Sequence, residues 1–106
     1  MNEKVSDVLS KLKAEVRELY GERLKALVLY GSWAKGDATE DSDIDMVVVL
    51  EGSVSPGREI ERMIEAITDI LLEHNELISV YPVSEEDYEN VNSPLLMNAR
   101  REGIPA

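Results

Sequence analysis

Residues 31–45 read GSWAKGDATEDSDID, framed by the apolar runs LKALVLY at 24–30 and MVVVL at 46–50. Gly31-Ser32 is separated from Asp43-Ile44-Asp45 by a ten-residue spacer. Each framing run has the length and the branched aliphatic content of a strand. A small-residue turn therefore leaves the first strand, and two carboxylates stand where the second begins. Residues two apart on a strand project from one face, so Asp43 and Asp45 share a side. Two carboxylates held so close repel unless a cation lies between them. Such a layout suits a metal-bound triphosphate.

The chemistry of each side of that block can be read separately. Mg²⁺ prefers hard oxygen ligands and takes one or two protein carboxylates, filling its shell with water and phosphate oxygens. Asp43 and Asp45 are the candidate ligands. A glycine at position 31 lets a phosphate approach the backbone closely. A short helix over 32–36, with Ser32 as its cap, would turn amides toward the anion, and the Ser32 hydroxyl adds a donor. Lys35, one turn on, is a mobile point charge for the outer phosphates. Gly36 lets the chain turn away into a polar loop that ends at Ser42.

Outward from the block, Val5, Val8, Leu9, Leu12, Val16 and Leu19 fall at helical spacing over residues 3–20, with Gly21 as a stop. The run after Asp45 is apolar on both faces, as in a central strand. Gly52 to Gly57 is a turn. Ile60, Met63, Ile64, Ile67, Ile70 and Leu71 predict a second long helix over 58–74. LISVYPV at 77–83 is a third strand, placed at a sheet edge or ending at Pro82, which lacks an amide proton. Ser84-Glu85-Glu86-Asp87 opens a short helix as a capping box. Ser93-Pro94 opens another, which stops near Gly103. The expected fold is α/β (α+β): one domain over 1–106, a small mixed sheet with helices on both sides.

Composition narrows the function. A chain of 106 residues can bury roughly two-thirds of its unfolded surface, enough for one modest core. Eleven Lys and Arg against 22 Asp and Glu leave a formal charge of −11, which argues against direct nucleic-acid binding and favours a basic partner or a cation-bridged polyphosphate. The absence of cysteine excludes disulfides and thiolate metal sites and fits a reducing compartment. No segment approaches the roughly 18 apolar residues of a membrane span, and the N-terminal MNEKVSDV is too polar for a secretory signal. A cytoplasmic protein is expected.

The block resembles the signature of the DNA polymerase beta-like nucleotidyltransferases: Gly-Ser, about ten residues, then Asp-x-Asp. In the closer form GS-x-A-[RK]-G-x5-SDID it resembles the minimal nucleotidyltransferases. The resemblance implies a nucleotidyltransferase fold and transfer of a nucleoside monophosphate from Mg²⁺–NTP, ATP first, to a hydroxyl. It implies Asp43 and Asp45 as catalytic metal ligands, and Gly31, Ser32, Lys35 and Ser42 as nucleotide-binding residues. Lys35 stands where such proteins often have arginine. Minimal relatives are often paired, as antitoxins, with a HEPN-domain protein, and some transfer AMP to it; the acceptor domain of larger relatives is not expected here.

The resemblance also implies a third carboxylate on a later strand, facing the first two. Ser79 occupies that position and can serve neither as a hard-cation carboxylate nor as a base. Glu76 should project from the opposite face, and Glu85 and Glu86 fall beyond the strand. Without a third acid, a second reading is a nucleotide-binding or antitoxin module that acts by partner binding alone. His74 is expected to meet the negative end of its helix. Trp33 either stacks on a base or anchors the core. Tyr30 is read as packing, and Arg100 and Arg101 as helix C-terminal caps or phosphate contacts. The apolar face of the last helix leaves room for a partner or a homodimer.

Overall fold

The computed structural model describes residues 3–106; Met1 and Asn2, part of the polar N-terminal stretch, lie outside the described residues. The elements in chain order are α1 (Glu3–Tyr20), β1 (Leu24–Tyr30), α2 (Ser32–Lys35), β2 (Ile44–Leu50), α3 (Pro56–His74), β3 (Ile78–Ser84), α4 (Glu85–Asn90), α5 (Pro94–Glu102) and β4 (Ile104–Pro105). A short 3₁₀ turn, Gly21–Arg23, links α1 to β1. The sheet order is β3-β2-β1-β4. β1 runs antiparallel to β2 and to β4, while β2 and β3 run parallel, so the sheet is mixed as expected.

β2 is central, and its pattern of near-continuous burial follows from having both faces covered. Ile44, Met46, Val48 and Leu50 point into one layer with Leu27 and Leu29 of β1, under α1 and α3. Val47 and Val49 point the other way, with Val28, Val83, Leu96 and Ala99, beneath the short helices. The two long helices thus share one face, and α4 and α5 hold the other. Leu12, Leu29, Met46 and Ile70 are fully buried in the larger layer. Each such side chain contributes about 1.5–3 kcal/mol relative to an exposed one.

Helix faces differ from the sequence reading in detail. Leu19 is 48% exposed, and Tyr20 closes the buried stripe of α1 in its place. On α3 the buried face is Glu59, Met63, Ala66, Ile67 and Ile70, while Ile60, Ile64 and Leu71 remain exposed. The rotation has a chemical cause. Tyr20 donates its hydroxyl to the Glu59 carboxylate at 3.0 Å, and Arg62 donates to the same oxygen at 3.2 Å. A paired carboxylate can be buried where an unpaired one could not.

Termini of the shorter elements follow the expected chemistry. Ser84 accepts from the Asp87 amide and Ser93 from the Leu96 amide, with Pro94 in the first turn of α5. β3 is an edge strand, as Pro82 required. The Ile44 amide donates to the Leu77 carbonyl, so the odd-numbered residues of β3 turn their amides toward β2 and Pro82 faces the free edge. β4 was not foreseen: two residues after α5 pair with Val28 and Leu29. No helix among the described residues is long and apolar enough to cross a membrane.

Candidate functional site

The open end of the smaller layer is built by three strands in register. Tyr30 of β1 lies opposite Asp45 of β2, and Asp45 lies opposite Ser79 of β3. Alternation along β2 sends Asp45 to the face of Val47 and Val49, away from α1 and α3. Asp45 is partly buried there and Asp43, just before the strand, is exposed.

Gly31 fixes the relation between the turn and the carboxylates. Its backbone has φ 74° and ψ −152°, a conformation that is nearly exclusive to glycine. A Cβ at this position would stand 2.5 Å from Asp45 Oδ2. The Asp45 carboxylate therefore lies against the Gly31 Cα, which brings the second carboxylate of the pair to the Gly-Ser turn. Burial raises the Asp45 pKa above the ordinary carboxylate value, and the Asp43 charge raises it further. The repulsion deduced from spacing is thus present in the folded protein. Among the described residues no ion pair joins Asp43 or Asp45 to a base.

The turn itself departs from the sequence reading in one respect. Gly31, not Ser32, is the N-cap of α2, and Ser32 is the first helical residue. The reason is conformational: positive φ at Gly31 makes the sharp exit from β1, so the helix begins one residue earlier, at Ser32. The Gly31 carbonyl accepts from the amides of Ala34 and Lys35, leaving the Ser32 and Trp33 amides with no carbonyl inside the helix. Gly36, at φ 81°, ends α2 and donates to the Ser32 carbonyl.

The other candidates fall into two groups. Ser42 closes the loop: its hydroxyl accepts from the Thr39 amide at 2.9 Å, and its carbonyl accepts from Trp33 Nε1 at 3.3 Å. Trp33 packs on the larger core and so anchors that loop. Lys35 is exposed on the last turn of α2, 4.0 Å from Glu102 across the gap to α5. Arg100 is not near the phosphate side. It donates to the carbonyls of Tyr88 and Val91 and to Asn92, capping α4 and bracing the α4–α5 link. Arg101 is exposed on α5. His74 ends α3, 3.8 Å from Glu73.

Ser79 holds the position beside Asp45 where a third acid was sought. Glu76 precedes β3 and is 8% exposed; it turns instead to Lys4 at 3.4 Å, on the α1 side. Among the described residues no third His, Cys, Asp or Glu joins the Asp pair. Tyr30 was read as packing, and it packs on the smaller core layer; it also lies opposite Asp45 across the β1–β2 ladder. Burial raises its pKa first, then the Asp45 charge, then Tyr81. Cross-strand register supplies that placement, which one strand read alone cannot show.

Two carboxylates with oxygen donors only, a close glycine backbone and free helix amides match the requirements of a hard divalent cation with a polyphosphate. The family model for the nucleotidyltransferase domain matches residues 9–93. A Methanocaldococcus jannaschii protein, provisionally named a protein adenylyltransferase, is 33% identical over 97% of this chain and 96% of its own length. The protein adenylyltransferase MntA of Thermococcus cleftensis is 34% identical over 61% of this chain and 66% of its own. A toxin–antitoxin crystal structure with AMP-PNP covers 91% of this chain and 69% of its own, with TM-score 0.66 and 16% identity. A provisionally named nucleotidyltransferase of Sulfolobus solfataricus covers 99% and 86%, with TM-score 0.61 and 17% identity. With the family match spanning most of the chain and a full-length relative at one-third identity, the chain belongs to the nucleotidyltransferase domain family.

Proposed function

We propose that this chain is a minimal nucleotidyltransferase. It moves a nucleoside monophosphate, AMP first, from Mg²⁺–NTP to a hydroxyl of a protein partner, and acts in the cytoplasm as antitoxin to a HEPN-domain toxin. The observation that carries the reading is the Asp45 carboxylate lying over Gly31, with Asp43 close enough to raise its pKa. The names of the relatives support protein as the acceptor, and the toxin–antitoxin neighbour supports ATP and a toxin partner.

Asp43 and Asp45 would hold Mg²⁺. Bound there, Mg²⁺ would offset the charge of the triphosphate and of the departing pyrophosphate. Gly31 admits the phosphate chain, Ser32 offers its amide and hydroxyl, and Lys35 reaches the outer phosphates. Ser42 and Trp33 hold the intervening loop closed, which keeps Asp43 at the mouth of β2. The acceptor oxygen bonds to the α-phosphorus as the bond to pyrophosphate breaks. On this face no third carboxylate takes the hydroxyl proton, so it passes to solvent or to a group that the partner supplies.

Ser79 beside Asp45 favours a second reading: the chain binds Mg²⁺–NTP and its partner without turnover. One assay separates the two. The chain, its co-purified partner, labelled ATP and Mg²⁺ are incubated, and Asp43→Asn is compared with the parent. Label that moves to the partner and is lost in the variant supports transfer. Partner binding retained equally in both, with no label moved, supports the binding module.

A further inference from the structure

The outer groove between α1 and α3 lies on the far side of the sheet from Asp43 and Asp45. It is a depression of about 420 Å³ lined by Glu15, Glu18 and Leu19 of α1 and by Arg62, Glu65, Ala66 and Asp69 of α3. Leu19 is 48% exposed at its edge, and Ala66 forms its floor. Leu19 and Ala66 are the apolar residues of this seam between the two antiparallel helices.

The charge of the groove is one-sided. Arg62, its only base among the described lining residues, is half-exposed and already paired with the buried Glu59 carboxylate at 3.2 Å. No ion pair among the described residues engages Glu15, Glu18, Glu65 or Asp69. The Lys11–Glu73 pair lies further along the same seam, outside this lining. A second copy of the chain, itself at −11, would meet this groove with like charge.

We propose that the α1–α3 groove is a protein-docking surface whose occupant is a cationic amphipathic helix of a partner. Apolar residues of that helix at i, i+3/i+4 and i+7 would pack on Leu19 and Ala66, and flanking Lys or Arg would meet Glu15 and Glu18 on one wall and Glu65 and Asp69 on the other. The inference does not need nucleotidyl transfer. It places a partner on the face of the sheet opposite Asp45, so docking there leaves the Asp pair uncovered. Partner binding and nucleotide binding are then separable by mutation.

The probe is a synthetic 18-residue helix with Leu along one stripe and Lys and Arg beside it. Its titration into ¹⁵N-labelled protein is read by chemical shifts and by calorimetry, with and without Mg²⁺–ATP. A scrambled peptide of equal charge and no apolar stripe is the control, along with spermine. The expected result is shift changes confined to residues lining the groove and affinity at least tenfold above the scrambled peptide. Glu18→Lys with Glu65→Lys should lower that affinity tenfold or more, and Mg²⁺–ATP should leave it unchanged. Both positions are exposed, so the fold survives, and an unchanged ¹⁵N spectrum elsewhere checks this. Equal binding of the scrambled peptide or spermine would overturn the proposal, as would shifts centred on Asp43 and Asp45. Failure of label transfer with groove binding intact would sink the enzymatic reading alone.

Discussion

Gly31→Ala tests the geometry on which the site depends. Two costs arise at that position. The backbone conformation, φ 74° with ψ −152°, costs a side-chain-bearing residue about 1–3 kcal/mol. The reduced freedom of the unfolded chain returns about 0.4–1 kcal/mol. The new methyl also stands 2.5 Å from Asp45 Oδ2, so the carboxylate must swing off the turn by close to an ångström to regain ordinary contact. The expected net loss is about 1–2 kcal/mol, seen in urea as a midpoint lower by roughly half to one molar. Gly36→Ala is the matched control. Gly36 also has positive φ, at 81°, but a Cβ there meets nothing within 4 Å. It should lose about 1 kcal/mol to the left-handed backbone alone and keep its Mg²⁺ affinity. Gly31→Ala should lose stability and Mg²⁺ affinity together, by calorimetry with the nucleotide present. Combining it with Asp45→Ala should recover part of the stability, since the clash is removed, and the double-mutant cycle reads that coupling. Equal midpoints and equal Mg²⁺ affinity for Gly31→Ala and Gly36→Ala would refute the placement of Asp45 over the turn.

The remaining predictions follow from the same contacts. The Asp45 pKa is raised in the folded state, so in its usual acid range the native chain binds more protons than the unfolded one, and stability falls as pH rises through the folded pKa. Asp45→Asn should therefore be more stable than the parent at pH 7 without metal, and the gap should close below the unfolded carboxylate pKa; a melting series from pH 3 to 8 checks this. Mg²⁺–NTP should reverse the order, since ligand at 100 times its dissociation constant adds about 2.7 kcal/mol to the parent. Ser79→Asp places a third carboxylate beside Asp45; it should tighten Mg²⁺ binding and raise any label transfer, and lower metal-free stability. Tyr20→Phe removes the hydroxyl that partners buried Glu59; it should cost about 1.5–3 kcal/mol by chemical denaturation, with nucleotide binding unaffected.

The elements were legible because periodicity and punctuation agreed along most of the chain. Gly31, Gly36, Ser84 and Pro94 each sit where a turn or a cap demands that residue type. Pro82 left β3 either at an edge or ending there, and it is an edge strand that runs on to Ser84. The helix faces were less legible. Ile60, Ile64 and Leu71 have the spacing of a buried stripe, yet α3 turns Glu59 inward because Tyr20 and Arg62 satisfy it. That depends on a partner 39 residues away, which local spacing cannot carry. β4 went unforeseen for the same reason, as two residues become a strand only when β1 offers an open edge. Of the site, the Asp pair, the Gly-Ser turn and the place of Ser79 were visible in sequence, while the position of Tyr30 opposite Asp45 comes only from the register of β1 on β2.

The position of the site follows from how the core is divided. Fifteen buried residues join in the layer under α1 and α3, against six in the layer under the short helices. The larger layer supplies most of the burial, so the smaller one can end early and leave Asp45 and Asp43 exposed to each other. Their repulsion weakens the isolated fold, and a domain with one modest core has little reserve to lose. A pair kept at that cost, over a glycine that no other residue could replace without displacing it, is more readily explained by a cation than by stability. The proposed docking groove of α1 and α3 lies on the other side of the sheet, linked to the Asp pair through Trp33, which packs on the core of that side and anchors the loop before Asp43. On the two readings proposed above, binding and chemistry would occupy opposite faces of one sheet.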